Sequence, residues 1–197
     1  MMFTHIAFGH RSRFQNLKTD KVFTLKRTPV ICCRMGAEYR FKLKLFEGSI
    51  YAGYAAVSGY PYHSSKTRRS KYHLYNLALE NNYQRLSLGS LLLYIINTEA
   101  RLNGGGYFYI EYPLYTALGF YLKLGFFPDP EGVSESEKKY QLSASAGADV
   151  SSIRNHYLNS KLSLSRRYLF WRCHTEALNT KLCEAMCKKF KYLKPDR

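Results

Sequence analysis

Leu77-Ala-Leu-Glu-Asn-Asn-Tyr-Gln-Arg-Leu-Ser-Leu-Gly-Ser-Leu91 decides the reading of the chain, because a strand ends and a helix begins inside it. Upstream, Tyr72 to Leu79 has the length and composition of a strand, and Glu80-Asn81-Asn82-Tyr83 breaks it. Downstream, apolar residues at 88, 91, 92, 95, 96 and 100 recur at three-to-four spacing. That spacing predicts an amphipathic helix over Ser87 to Leu102, stopped by Asn103-Gly104-Gly105-Gly106. A helix N-terminus leaves backbone N–H groups without intrahelical partners and carries the positive end of the macrodipole. Small residues at Ser87, Gly89 and Ser90 let an anion approach that backbone, and Gln84 and Arg85 add donors at its mouth. On its residues alone the stretch reads as an anion cradle or as a solvated turn with a small-residue cap.

Outward from this stretch the periods change. Tyr39 to Phe46 alternates apolar and basic residues, the pattern of a half-buried strand. Glu47-Gly48-Ser49 turns the chain into a second strand, Ile50 to Val57, and Gly59 to Ser70 reads as a loop. Beyond the helix, Tyr107 to Tyr112 is a buried strand, and Pro113 opens a helix that runs to Leu124 and is capped by Gly125. Before Glu38 the expectation is a short helix at Arg11–Leu17 and a strand at Lys21–Leu25. After Phe127 it is an exposed loop at Pro128–Gly132 and Ser134–Lys139 and a stretch rich in Ser, Ala and Gly at Ser143–Asp149, then helices at Val150–Asn159 and Ser165–Tyr192, the second either continuous or broken near Asn179. Two domains are expected, a core over residues 1–149 and a basic helical C-terminal extension over 150–197.

Composition sets the class. The chain has 197 residues, 46% hydrophobic and 22% charged, which is ordinary for a packed globular protein and excludes wholesale disorder. Five cysteines, with Cys32 and Cys33 adjacent, do not make a secreted disulfide framework and point to a reducing compartment. The longest apolar run, Leu86 to Ile96, falls short of the ~18 residues of a spanning helix. Met1 to Arg13 lacks the apolar block of a Sec-type signal. A cytoplasmic protein is expected, with secretion as an effector by a non-Sec route left open.

The formal charge is +16, and its distribution is uneven. Residues 1–70 hold 13 basic and 3 acidic groups, 71–130 hold 4 and 4, and 131–197 hold 13 and 7. Such a surface suits an anionic partner (RNA, an acidic protein, an anionic membrane, a phosphorylated cofactor) or serves solubility alone. Arg68-Arg69, Arg166-Arg167 and the Arg–Tyr alternation at Arg154–Tyr157 and Arg166–Tyr168 read as solvated faces or as phosphate-and-stacking contacts. Cys173-His174 with Cys183 and Cys187 matches no common zinc spacing, so no metal site is expected.

Two segments carry a family resemblance. Gln84-Arg85-Leu86-Ser87-Leu88-Gly89-Ser90 resembles the acyl-CoA pyrophosphate loop of the GNAT N-acetyltransferase superfamily, Gln/Arg-x-x-Gly-x-Gly/Ala. Gln84 and Gly89 match, while Ser87 stands at the first Gly, a departure that would narrow the loop or ask it to use a non-glycine backbone angle. Ala117-Leu-Gly-Phe-Tyr-Leu-Lys-Leu-Gly-Phe126 is similar to the second signature, Ala-x-x-Phe-Tyr-x-Lys-x-Gly-Phe, with Leu114 where an Asn is often found. The resemblance covers roughly residues 39–127. It implies an α/β (α+β) fold: a mixed, mostly antiparallel sheet, splayed at the cofactor site and flanked by helices.

What the resemblance implies for function is transfer of an acetyl group from acetyl-CoA to an amine, by direct attack in a ternary complex. Leu77, Ala78 and Leu79 would offer backbone to the pantetheine, and Gln84, Arg85, Leu86, Ser87, Leu88, Gly89 and Ser90 would hold the pyrophosphate. Tyr121 would protonate the departing thiolate or merely shape the site. His73, Glu80 and Glu111 are the candidate bases, with a water chain or no dedicated base as alternatives. Alternation from Leu77 and Leu79 places His73 on their face. The acceptor is a protein amine, a small amine or an aminoacyl-RNA. The competing readings are a non-catalytic acyl-CoA-binding module and a basic nucleic-acid-binding protein on the same frame.

Overall fold

Phe41, Leu43 and Leu45 are buried while Arg40, Lys42 and Lys44 between them are exposed, so one alternating strand separates the interior of the protein from a basic outer surface. The computed structural model describes residues 11–28, 31–32, 39–60, 71–103, 105–111, 117–128 and 170–193. Its strands are β1 (Arg11–Asn16), β2 (Val22–Arg27), β3 (Ile31–Cys32), β4 (Tyr39–Glu47), β5 (Ile50–Tyr60), β6 (Lys71–Leu79), β7 (Tyr107–Glu111), β8 (Phe127–Pro128), β9 (Phe170–His174) and β10 (Phe190–Leu193). The helices are α1 (Leu88–Leu102), α2 (Leu118–Lys123) and α3 (Thr175–Lys189). None is long and apolar enough to cross a membrane. Internal packing divides the chain into two compact units, Met1–Phe108 with His174–Arg197, and Tyr109–Cys173.

In the first unit the strand order is β10-β1-β2-β4-β5-β6, every neighbour antiparallel, with β3 against β4. Phe14, Phe23, Leu25, Phe41, Leu43, Leu45, Ala55, Val57 and Leu74 form the buried face of this sheet. Helix α1 packs on β5 and β6, and α3 packs on α1. That sandwich explains why Leu91 through Thr98 are all buried although α1 is only 15 residues long. Each fully buried leucine there contributes on the order of 2 kcal/mol. Helix α3 needs only one apolar stripe, Leu178, Leu182 and Met186, at four-residue spacing.

Polar groups fix how the layers meet. Asn97 Nδ2 donates to Thr175 O at 2.9 Å, and Thr175 Oγ1 donates to Gly105 O at 2.8 Å, latching the start of α3 to the end of α1. Arg27 grips Glu99 through two 2.8 Å bonds, tying β2 to α1, and Arg101 reaches Glu176 at 2.9 Å. In the second unit, α2 ends where Phe126 N donates to Tyr121 O at 3.1 Å across the left-handed Gly125 (φ 87°), and β8 pairs antiparallel with β9.

The expected mixed fold with a mostly antiparallel sheet and helices is the observed one, and several local expectations are corrected. Arg11–Asn16 is a strand instead of a helix, with Leu17 in the turn after it; Ser12, Phe14 and Asn16 alternate inward, and because two of the three are polar the apolar period of a strand is missing. Ser165–Tyr192 is neither one helix nor a helix broken near Asn179: in its described part, β9 and β10 flank α3, which runs unbroken through Asn179, and β10 pairs with β1. His73 does not share a face with Leu77 and Leu79. A bulge between Ala56 and Val57 in the β5–β6 register pairs Leu74, Leu77 and Leu79 with Val57, Ala55 and Gly53, and His73 with Ser58. Gly59 and Tyr60, expected to open the loop to Ser70, instead end β5, and Pro128, expected in a loop, lies in β8. The rest of those loops, the expected helix start at Pro113, the helix at 150–159, the boundary at 149/150, and Arg68, Arg69, Arg154, Arg166 and Arg167 lie outside the described residues.

Gly53 sits at φ 150°, where a Cβ would run into the Ala78 carbonyl oxygen and Leu79, whereas Gly48 (φ 59°) in the β4–β5 turn has open space around it. Gly53→Ala is therefore expected to lower the unfolding free energy by about 2–4 kcal/mol through overpacking and strain. Gly48→Ala should cost only about 1 kcal/mol, the backbone penalty alone. Urea denaturation of the two variants measures the difference.

Candidate functional site

Strand β6 leaves its neighbour at Glu80, whose N–H still donates to Ala52 O at 3.1 Å. A single 3-10 turn, Asn81–Tyr83, follows and is pinned by Tyr83. Its buried ring stands edge-on to Phe23 (6.1 Å) with the Lys21 ammonium 5.5 Å from its centroid. Lys21 also bonds Glu47 at 2.9 Å, and that bond, ahead of a second one from Tyr83, holds the Glu47 carboxyl below its ordinary range.

Beyond the turn the backbone is strained twice within three residues. Arg85 and Ser87 both adopt left-handed angles, each with φ 63°. For residues other than glycine such angles cost about 1–2 kcal/mol apiece, and they persist only where the surroundings over-determine them. Here they do. Asn16 Nδ2 donates to Leu86 O at 3.1 Å, Lys189 Nζ donates to Ser87 Oγ at 3.0 Å, and Ser87 O accepts the first intrahelical bond of α1 from Leu91 N at 3.0 Å. The non-glycine backbone angle expected from Ser87 in place of glycine is not what the loop adopts: the serine itself takes the left-handed angle that favours glycine.

A cavity of about 390 Å³ opens beside the loop, lined by Asn16, Lys18, Thr19, Arg85, Leu86, Ser87 and Lys189. Three cations and no carboxylate line it, which suits a phosphate-bearing ligand. Asn16, only 4% exposed, shapes both walls: its Oδ1 accepts from Lys18 N (3.0 Å) and Thr19 N (3.2 Å) while its amide holds the loop. The amides of Leu88, Gly89 and Ser90 precede the first intrahelical bond, so helix geometry leaves them without an intrahelical partner, although Leu88 and Gly89 are buried and the cavity is lined by residues up to Ser87. Gln84 is engaged differently from a free mouth donor. Its Nε2 donates to Asn81 Oδ1 (3.1 Å) and Leu79 O (3.4 Å), closing the turn onto the strand end.

The loop residues Gln84 to Ser87 and the helix start Leu88 to Ser90 thus come together as one continuous feature. Leu77 and Leu79 are half-buried on the inner face, and Ala78 is exposed opposite Tyr54. Glu80 is exposed past the strand end, and His73 is half-buried on the outer face. Glu111 ends β7. Tyr121, in the second unit, is 6% exposed with its ring against Phe126 (5.6 Å), and burial pushes its phenol up to about 12. Sequence reading missed Asn16, Lys18 and Lys189. Lys189 meets Ser87 across 102 residues, a contact with no local signal. Among the described residues no three His, Cys, Asp or Glu are grouped to hold a metal.

If left-handed strain is what Ser87 bears, Ser87→Gly should leave stability unchanged or raise it by up to about 1 kcal/mol. Ser87→Val, whose branched side chain resists that angle, should lower it by about 2 kcal/mol or more. Thermal unfolding followed by circular dichroism separates the two.

No protein-family model matches the chain, and no curated protein matches it. Among solved structures it is similar to a GNAT-family protein from Desulfovibrio desulfuricans, at 19% identity over 69% of each chain with a TM-score of 0.42. It is also similar to a mutant AtaT toxin bound to the C-terminus of the antitoxin AtaR and acetyl-CoA (14% identity, 72% of each chain, TM-score 0.45). A third likeness is to the KacTA–DNA complex (15% identity, 75% of this chain and 74% of that one, TM-score 0.44). These likenesses are to GNAT-like folds at low identity, and they assign neither an activity nor the role of any residue.

Proposed function

We propose that the protein is an acyl-CoA-dependent N-acyltransferase that takes acetyl-CoA as donor and an amine as acceptor. The observation that carries this reading is the left-handed Ser87. The position where the pyrophosphate-loop pattern has glycine adopts the angle glycine would take, at the head of α1 and beside a cavity with Lys18, Arg85 and Lys189. The donor set fits a pyrophosphate: unpaired helix-start amides, small residues at Gly89 and Ser90, and cations without a carboxylate.

In this reading the amides of Leu88, Gly89 and Ser90 receive the phosphate oxygens, and Arg85, Lys18 and Lys189 neutralise them. Bound acetyl-CoA supplies a thioester that an acceptor amine attacks directly, without an acyl-enzyme. Backbone at Leu77, Ala78 and Leu79 orients the pantetheine; Leu79 O already accepts one bond, from Gln84. Tyr121 holds the proton for the leaving sulfur. Its raised phenol stays protonated through neutral and alkaline pH up to about 12, so the donor form is the resting form. For the base, Glu80, Glu111 and His73 remain the proposed candidates, with His73 the least favoured because it lies on the sheet face away from Leu77 and Leu79. A non-catalytic acyl-CoA-binding module is the second reading, favoured if the serine loop binds without turnover.

Calorimetry with acetyl-CoA, paired with free-thiol release over a panel of amines, tests the proposal. Gly89→Glu places a carboxylate where phosphate belongs and should abolish acetyl-CoA binding. Tyr121→Phe should keep binding and lose on the order of 10²-fold in turnover, the effect of one positioned proton donor. Binding by Gly89→Glu equal to the parent's would move the site elsewhere; binding without thiol release would favour the module.

A further inference from the structure

The sheet of the first unit has an outer face, opposite α1, whose charges the fold itself does not explain. Register places Arg11 directly across from Lys26, and Lys26 directly across from Lys44, so three cations stand in a row over β1, β2 and β4. All three are exposed. Neighbouring strands lie about 4.8 Å apart, and like charges directly opposite one another destabilise a sheet. Lys42 on β4 and Lys191 on β10 extend the same face, both exposed. No described strand position on this face carries a carboxylate. Asp20, bonded by Gln15, and Glu80, near Tyr51, sit at its rims. A surface built for solubility alone mixes both signs.

Aromatic rings fill the spaces between these cations. Lys26 Nζ lies 4.7 Å from the Phe46 ring centroid and Lys42 Nζ 5.8 Å from that of Tyr54. Tyr51 is 36% exposed and stands edge-on to Phe46 at 5.6 Å. Cations for phosphates beside rings for bases are the two components of a single-stranded nucleic-acid platform. An acidic protein would use the cations but has no need of the rings. A duplex would present its backbone and keep its bases stacked away from them.

We infer that this outer face binds single-stranded nucleic acid, with phosphates along the Arg11–Lys26–Lys44 row and bases on Tyr51 and Tyr54. The inference does not rest on the acyl-CoA reading, because none of these residues lines the cavity beside Ser87.

The test is fluorescence anisotropy of the full chain with a labelled mixed-sequence oligoribonucleotide, its DNA counterpart, an RNA duplex and a poly-glutamate peptide, across a salt series. Lys26→Ser combined with Lys44→Ser should weaken single-strand binding about tenfold or more and reduce the salt slope by about 1.4, from two lost phosphate contacts. Tyr54→Ala should weaken it on the order of tenfold with the slope unchanged, as loss of one stacked base does. Lys181→Ser combined with Lys188→Ser removes equal charge from the exposed side of α3 and should leave affinity within about twofold. Circular dichroism and melting temperature confirm that each variant folds. Equal weakening by the α3 pair would reduce the effect to net charge and overturn the assignment. A silent Tyr54→Ala together with tight poly-glutamate binding would overturn it in favour of an acidic protein, and preference for the duplex would overturn the single-strand platform.

Discussion

The side chain of Asn16 is the joint on which the rest of the first unit turns. It is buried, yet it satisfies two backbone amides of the β1–β2 turn and the Leu86 carbonyl in the loop before α1. Losing one partner of a buried amide costs about 1–3 kcal/mol. Here the loss would also release a loop that stores left-handed strain at Arg85 and Ser87. The strain, the first turn of α1 and the basic cavity beside it are therefore one coupled feature. Lys189 closes it from the far end of α3, so the helix that covers α1 also sets the charge at the loop.

Legibility in the sequence followed the reach of the physical signal. Strands β4, β5 and β6 and helix α1 were readable because alternation and three-to-four spacing are local and strong over 39–102. Strand β1 was not, because Ser12 and Asn16 occupy inward positions that hydrophobic periodicity expects to be apolar. In β9, Trp171 and Cys173 are buried around a half-buried Arg172, but five residues are too few to stand out beside a 15-residue helix.

The candidate site was legible as a loop and incomplete as a site. The small-residue helix start and the glycine-to-serine departure could be seen at Ser87 and Gly89. Asn16 and Lys189 could not, since both reach the loop only through tertiary packing. One extra residue in β6 has no sequence signature either, yet it reverses the face on which His73 lies and so reorders the candidate bases. The two faces of the sheet also divide the work. The inner face supplies the apolar burial that holds α1, and the outer face is free to carry charge that stability does not require.

The central claim is that the loop and helix start at 84–90 hold an acyl-CoA pyrophosphate. The most direct measurement is titration of the isotope-labelled protein with coenzyme A, followed by backbone amide chemical shifts. The largest shifts should fall on Leu86 to Ser90, with Lys18 and Lys189 following the same binding curve. Saturable binding whose shifts leave Leu88, Gly89 and Ser90 untouched would contradict the claim.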